Sequence, residues 1–138
     1  CIRDRARTIH LGTPSDELRR TAAAAEEGMA AVMDSLKPGA IAGDVHAAWQ
    51  RVLDRYGLEK PSRIGYSIGV GYAPDWGERT LSFRPREATP VPDNAVVHVI
   101  LGMWMDDWGM ELSETIHVRG DGCERMCDFP QHVHVVET

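Results

Sequence analysis

The stretch Ile64-Gly65-Tyr66-Ser67-Ile68-Gly69-Val70-Gly71 decides the fold class, because the spacing of apolar residues changes here to a period of two. Apolar or aromatic side chains alternate with glycine or serine, which is typical of a strand that turns one face to a core. The frequent glycines indicate that another group comes close to this backbone. We therefore predict helices before this stretch and strands and loops after it.

Two helices are predicted upstream of this strand. The first begins at a Thr13 cap followed by Pro14, carries an apolar stripe at steps of three and four residues, and ends at Lys37-Pro38-Gly39. The second runs from about Asp44 to Tyr56 and stops at a glycine. Their apolar stripes predict a packed helical pair.

Two apolar runs downstream, 96–104 and 110–118, are separated by a short polar stretch and predict a hairpin. Several prolines between the first strand and this hairpin exclude a regular helix there, and 132–136 is predicted to form a last short strand. Helices followed by antiparallel strands indicate an α+β fold in one domain spanning 1–138.

Composition excludes several classes of protein. The 138 residues are 43% hydrophobic and 26% charged, as in globular domains, and the net charge of −6 leaves no basic surface for nucleic acid. No run is long enough for a membrane span, and no signal peptide opens the chain, so we expect a cytoplasmic protein without membrane partners. Three cysteines form an odd set and predict reduced thiols. Residues 1–5 are expected to be a non-native leader on a fragment.

Two segments interleave acids with tryptophans, which is the combination that would bind a compact organic cation. One holds Trp76 and Glu78 after the glycine-rich strand, and the other holds Trp104 in the predicted hairpin turn. The alternative is a solvated turn with tryptophans in the core. On the first helix, Glu26 lies at the edge of the apolar stripe and could act as a base or nucleophile, whereas Glu27 points away. The alternative for Glu26 is an ordinary charge at the boundary of the apolar face.

The spacing of potential ligands in the sequence gives little support for a metal site or a nucleotide site. His98 with His117, and His132 with His134, form pairs without a third ligand, so we interpret them as core or surface histidines. Cys123 and Cys127 also lack a second pair and indicate free thiols. No glycine loop that could hold a phosphate opens a helix.

Three motifs together resemble the catalytic domain of the superfamily that contains methionine aminopeptidase, prolidase, aminopeptidase P and creatinase. They are 7–12 with its Arg-Thr pair, the helix end at 37–39, and the glycine-rich strand at 65–69. Gly102 and Thr115 resemble the ends of two further family motifs. The resemblance implies a C-terminal fragment of a "pita-bread" domain, with a small-molecule substrate and a homodimeric assembly.

Family peptidases hold two metal ions with aspartate, histidine and glutamate ligands. The resemblance places Tyr66 at the histidine position, Ile100 and Ser113 at the two glutamate positions, and Asp4 at one aspartate position. Because isoleucine has no ligand atom, we expect no metal cofactor. The alternative is a metal-dependent Xaa-Pro aminopeptidase or dipeptidase using manganese, cobalt or zinc, and a second alternative is an inactive binding module.

Residues 63–69, 74–78 and 113–115 resemble the ectoine hydrolase branch, whose enzymes open a cyclic amidine that carries a carboxylate. This implies hydrolysis of a C–N bond by protein acids and bases. The expected catalytic residues are Glu26 or Glu27 as base or nucleophile, with Glu78 and Glu114 as further acids. The expected substrate-binding residues share aromatic or cationic side chains, and they are Arg63, Tyr66, Trp76 and Trp104.

Overall fold

The computed structural model describes residues 5–71 and 77–138. These residues contain two helices and nine short strands. In chain order they are β1 (Ile9–Leu11), α1 (Asp16–Ser35), α2 (Ala42–Tyr56), β2 (Gly65–Ile68), β3 (Gly77–Phe83), β4 (Ala95–Ile100), β5 (Met103–Trp104), β6 (Gly109–Met110), β7 (Ser113–Arg119), β8 (Gly122–Arg125) and β9 (His134–Val136). The predicted α+β class is confirmed. No helix in the described ranges is long and apolar enough to cross a membrane.

Helix α1 begins two residues later than the sequence predicted. Ser15, not Thr13, is the N-cap, because its hydroxyl accepts the N–H of Leu18 at 3.1 Å. The acidic residues of the first turn, Asp16 and Glu17, lie at the positive end of the helix dipole. The predicted end is confirmed, since the helix finishes at Ser35, just before the Lys-Pro-Gly segment.

Helix α2 begins two residues earlier than predicted, at Ala42. Its N-cap Ile41 offers no side-chain hydrogen bond, and main-chain carbonyls of a neighbouring loop bind the first N–H groups instead. The N–H of Ala42 donates to the Thr89 carbonyl at 3.0 Å, and that of Gly43 donates to the Glu87 carbonyl at 2.8 Å. Gly57 ends the helix in the left-handed conformation, as predicted.

The two helices pack closely at one glycine. A Cβ at Gly28 of α1 would overlap the ring of Trp49 of α2, which is fully buried. The indole therefore occupies the space that any larger side chain at position 28 would need. This contact fixes how the helical pair sits over the sheet, since Trp49 also belongs to the main hydrophobic core.

The main sheet has five strands in the order β3-β2-β4-β7-β8, and every neighbouring pair is antiparallel. The predicted hairpin is confirmed, but each predicted strand is divided in two, into β4 with β5 and β6 with β7. Strands β3 and β8 were not predicted. Outside this sheet, β1 pairs in parallel with β9, the predicted last strand, from opposite ends of the chain.

Candidate functional site

A row of polar side chains crosses the centre of the sheet. Tyr66 on β2 lies opposite His98 on β4, and His98 lies opposite Thr115 on β7. Residues directly opposed on neighbouring strands share one face of a sheet. The residues next to this row, Val99 and Ile116, belong to the hydrophobic core on the other face. We call the face that carries Tyr66, His98 and Thr115 the polar face.

Tyr66 and His98 form a hydrogen-bonded pair on the polar face. The Tyr66 hydroxyl lies 3.2 Å from His98 Nδ1, and the two rings meet edge to face with centroids 5.5 Å apart. His98 is buried, whereas Tyr66 is partly exposed at the cleft described below. A phenol bonded to an imidazole can pass a proton in either direction, so the pair has the composition of an acid–base couple.

Arg63 packs on the Tyr66 ring of the Tyr66–His98 pair, next to solvent. Its guanidinium carbon lies 4.6 Å from the centroid of the Tyr66 ring, which is within the range of a cation–π contact. Arg63 itself is exposed. The structure therefore brings together two of the predicted substrate-binding residues, Arg63 and Tyr66, and adds His98, which the sequence interpretation had assigned to the core or surface.

The next row of the polar face holds Ile100 opposite Ser113, at the two positions where the family resemblance places glutamate ligands. Ser113 is fully buried, and its hydroxyl accepts the main-chain N–H of Ala6 at 2.7 Å. The Ser113 N–H donates to the Ala6 carbonyl at 3.1 Å. Ser113 thus ties the beginning of the described chain to the sheet.

A cleft of about 410 Å³ opens beside Tyr66, along the edge strand β3. Arginines and hydroxyl groups form most of its wall, which includes Arg63, Arg79, Thr80, Ser82, Arg84 and Thr89. The Glu87 carboxylate also lines it and accepts a hydrogen bond from the Thr89 hydroxyl at 2.7 Å. The Thr89 hydrogen bonds lower the pKa of Glu87, so this carboxylate is ionised at neutral pH.

The donor set on the polar face does not fit a dinuclear metal centre. Within residues 5–71 and 77–138, no group of three or more His, Cys, Asp or Glu side chains could hold a metal ion. Isoleucine at position 100 has no ligand atom, and neutral hydroxyls such as those of Tyr66 and Ser113 do not replace carboxylates as ligands of divalent cations. Asp4 lies outside the described residues.

The helix glutamates lie apart from the polar face. Glu26 is half-buried in a second groove of about 270 Å³, between α1 and β9, which His132 and Val133 also line. Glu27 is exposed and accepts hydrogen bonds from Arg55 and, at 3.0 Å, from the Tyr56 hydroxyl of α2. These two bonds hold the pKa of Glu27 below its usual range. Glu27 therefore has a structural partner in α2.

Glu114 lies on the core side of β7, since it neighbours Thr115 along the strand and alternate residues face opposite ways. It is fully buried, and its Oε1 accepts hydrogen bonds from Arg7 at 2.5 Å, Gln131 at 2.9 Å and Arg125 at 3.3 Å. Oε2 is buried and has no hydrogen-bond partner among residues 5–71 and 77–138. The structure does not bring this carboxylate to the cleft, where the resemblance had implied an acid.

Glu78 and the tryptophans occupy other places. Glu78 Oε1 accepts the N–H of Gly71 at 2.7 Å, beyond the end of β2 that is opposite to Arg63. Trp104 is 72% exposed and lies against Gly109, where an added Cβ would come within 2.7 Å of the indole. Trp76 lies outside the described residues. One face of the Trp104 indole is thus available for a ligand.

Sequence reasoning did not single out His98 as a candidate site residue, although the structure joins it to Tyr66. The signal was present, because His98 and Ile100 are two residues apart on one strand and so share a face. Any site at position 100 therefore has His98 as its neighbour. The interpretation as a core or surface histidine agrees with the burial of His98, but it considered histidines only as metal ligands and not as hydrogen-bond partners of Tyr66.

A helical pair packed over an antiparallel sheet is the arrangement of the pita-bread fold. The chain belongs to metallopeptidase family M24, whose sequence pattern matches residues 2–120. This finding confirms the resemblance and the fold that it implied.

The chain is also similar to individual members of this family. The chain is 39% identical to the ectoine hydrolase of Halomonas elongata over 131 residues, which are 94% of this chain and 33% of that protein. Among solved structures, the dipeptidase PepE of Mycobacterium ulcerans superposes with a TM-score of 0.87 and 23% identity, covering 97% of this chain and 36% of that one. The X-Pro aminopeptidase of Thermotoga maritima gives 0.84 and 21% identity, covering 96% and 37%. The chain thus spans about a third of the length of these proteins.

Proposed function

We propose that the protein hydrolyses a C–N bond in a small cyclic amidine such as ectoine, and that it does so without a metal ion. The observation that carries this proposal is the Tyr66–His98 pair, joined at 3.2 Å on the polar face. The pair stands where the family resemblance places a metal ligand, and Ile100 stands at a second such position. The identity of 39% with an ectoine hydrolase supports the choice of substrate.

The chemistry of an amidine explains why a metal is dispensable. A peptide carbonyl is a weak electrophile, and metallopeptidases polarise it with a Lewis acid. A protonated amidine already carries positive charge on the carbon that water attacks. The enzyme therefore needs a group that takes a proton from water and later returns one to nitrogen.

Tyr66 and His98 supply that group as a relay. As water adds to the amidine carbon, the Tyr66 hydroxyl takes a proton from it and passes its own proton to His98 Nδ1. The reverse transfer then protonates the ring nitrogen while its bond to carbon breaks, which yields an amide and an amine. Proton transfer by positioned side chains contributes about 10²- to 10⁴-fold to such reactions.

The remaining predicted residues take other roles in this proposal. Arg63 contacts the substrate beside the relay, whereas Trp104, which is not among the described lining residues of that cleft, would contact a ligand only through its exposed indole. Glu26 is the alternative base, because it lines a groove of its own and makes no hydrogen bond or ion pair within the described residues. Glu27, Glu78 and Glu114 each have a hydrogen-bond partner and serve the structure rather than the reaction.

The test is a ring-opening assay with ectoine, using protein expressed from its complete native reading frame and treated exhaustively with a chelator. We expect activity to survive chelation, and Y66F to lower kcat by about a hundredfold or more while E26Q has little effect. Activity that is lost on chelation and restored by manganese or cobalt would refute the metal-free mechanism. Cleavage of an Xaa-Pro dipeptide in the restored sample would then identify a peptidase.

Two further outcomes revise the proposal. Loss of activity in E26Q with full activity in Y66F would move the chemistry to the groove at α1. Tight ectoine binding without any turnover would instead indicate a binding module. A homodimer in the cytoplasm belongs to the same proposal, and its assembly is measured by sedimentation in the purified sample.

A further inference from the structure

The cleft beside Tyr66 carries more positive than negative charge. Arg63, Arg79 and Arg84 line it, and Glu87 is the only carboxylate among its described lining residues. Glu87 is already engaged, since its Oε1 accepts both the hydroxyl and the N–H of Thr89, at 2.7 and 3.3 Å. The positive charge of Arg84 also lowers the pKa of Glu87, so one arginine is partly balanced. The excess of arginines favours an anionic ligand.

Arg84 is held in position at the polar row. Its Nε and Nη2 lie 3.2 and 3.0 Å from the Ser82 hydroxyl, and Ser82 lies directly opposite Tyr66 across β3 and β2. Two of its donor nitrogens are thus fixed to the sheet. The remaining nitrogen, Nη1, has no hydrogen-bond partner within the described part of the chain and is available to a ligand.

Arg63 lines the same cleft as Arg84. Its flat face lies over the Tyr66 ring at 4.6 Å, which leaves the N–H groups at its edge for hydrogen bonding. No hydrogen bond from Arg63 to another described residue occupies them. A guanidinium whose plane is fixed by stacking presents its N–H groups in the geometry that a carboxylate accepts.

We propose that Arg63 and Arg84 form a subsite for the carboxylate of the substrate, next to the reacting pair Tyr66–His98. This inference rests on the proposed function and deepens it, because it restricts the substrates to cyclic amidines that carry a carboxylate. Tyr66 connects the two parts of the site: its ring supports Arg63, and its hydroxyl bonds His98. Arg84 becomes a specificity-determining residue.

Two substrates that differ only in the carboxylate test the subsite. They are ectoine and its decarboxylated counterpart, 2-methyl-1,4,5,6-tetrahydropyrimidine, assayed with protein from the complete native reading frame. We expect R84Q and R63Q each to lower kcat/KM for ectoine by about 10- to 100-fold, mainly through KM, and to lower it for the decarboxylated substrate by a clearly smaller factor, because only ectoine carries the carboxylate. R51Q, at an exposed arginine of α2, is the matched control and should change neither.

Several results would overturn the subsite. One is a wild-type protein whose kcat/KM is no higher for ectoine than for the decarboxylated compound. Another is that R84Q and R63Q lower kcat/KM by the same factor for both substrates. If neither compound is hydrolysed, the proposed function fails, and titration of the 138-residue chain with acetate then tests the subsite by itself. Arginine side-chain NMR resonances that shift on adding acetate to the wild type but not to R84Q would support the subsite. If no arginine resonance shifts in the wild type, the subsite is refuted.

Discussion

The buried carboxylate of Glu114 makes a sharp prediction about stability. Its Oε1 holds Arg7, whose side chain is 8% exposed, and Arg125, whose side chain is 28% exposed. Removing one partner of a buried ion pair leaves an uncompensated charge and costs about 3–5 kcal/mol. A small domain is stable by about 5–15 kcal/mol, so E114A should lose a large part of its free energy of unfolding. E114Q should lose less, because its amide oxygen still accepts a hydrogen bond from Arg7.

Urea unfolding followed by tryptophan fluorescence measures this effect. With a slope of about 1–3 kcal/mol per molar urea, E114A should lower the midpoint by more than 1 M. E27Q is the matched control, since Glu27 also bonds an arginine but is exposed, and its midpoint should stay close to the wild type. Equal midpoints for E114A and E27Q would refute the reasoning. Replacing Glu114 and Arg7 together by methionine should restore part of the loss, because Arg125 keeps Asp128 as its ion-pair partner, but several main-chain carbonyls lose the hydrogen bonds of Arg7.

Three more predictions concern packing, thiol reactivity and metal. G28A should destabilise the chain by about 2 kcal/mol in urea, because a methyl group there overlaps the Trp49 ring, whereas G122A, with open space around it, should not. Burial raises the pKa of Cys123 to about 11 from an ordinary 9.0, so at pH 8 iodoacetamide should label it about a hundredfold more slowly than exposed Cys127, as read by mass spectrometry; equal rates would contradict this. Because the folded state holds this thiol proton more tightly, the contribution of Cys123 to the free energy of unfolding should be constant below pH 9 and be lost between pH 9 and 11. Millimolar manganese should leave the Tm of the chain unchanged, since a specific site would raise it.

Local patterns in the sequence were sufficient for most elements of the fold. The apolar stripes gave both helices to within two residues, and the alternation around Tyr66 gave β2. Strand β3 was missed because prolines surround it, although none lies within it. The short strand β8 was missed because it pairs with β7 at the edge of the sheet and has no alternating apolar residues.

The site was harder to predict than the fold, because its members are joined only by the register between strands. Nothing in the local sequence says that Tyr66 lies opposite His98, or that Arg7 reaches Glu114 across the length of the chain. The resemblance drew attention to positions 66, 100, 113 and 115 but not to His98 between them. The tertiary register, which is set by side-chain packing on the other face, decides which polar groups meet.

The pairing of β1 with β9 has a consequence for how the protein is made. Ile9 lies beside His134, so β1 can pair with its partner only after the chain has been synthesised as far as β9. Until then Ile9 and Leu11, which stay largely exposed even in the folded chain, have no neighbour to order them. Strand β1 is therefore synthesised well before it can pair with β9. Mutations that weaken β9 should reduce yield in living cells more than they alter the finished molecule.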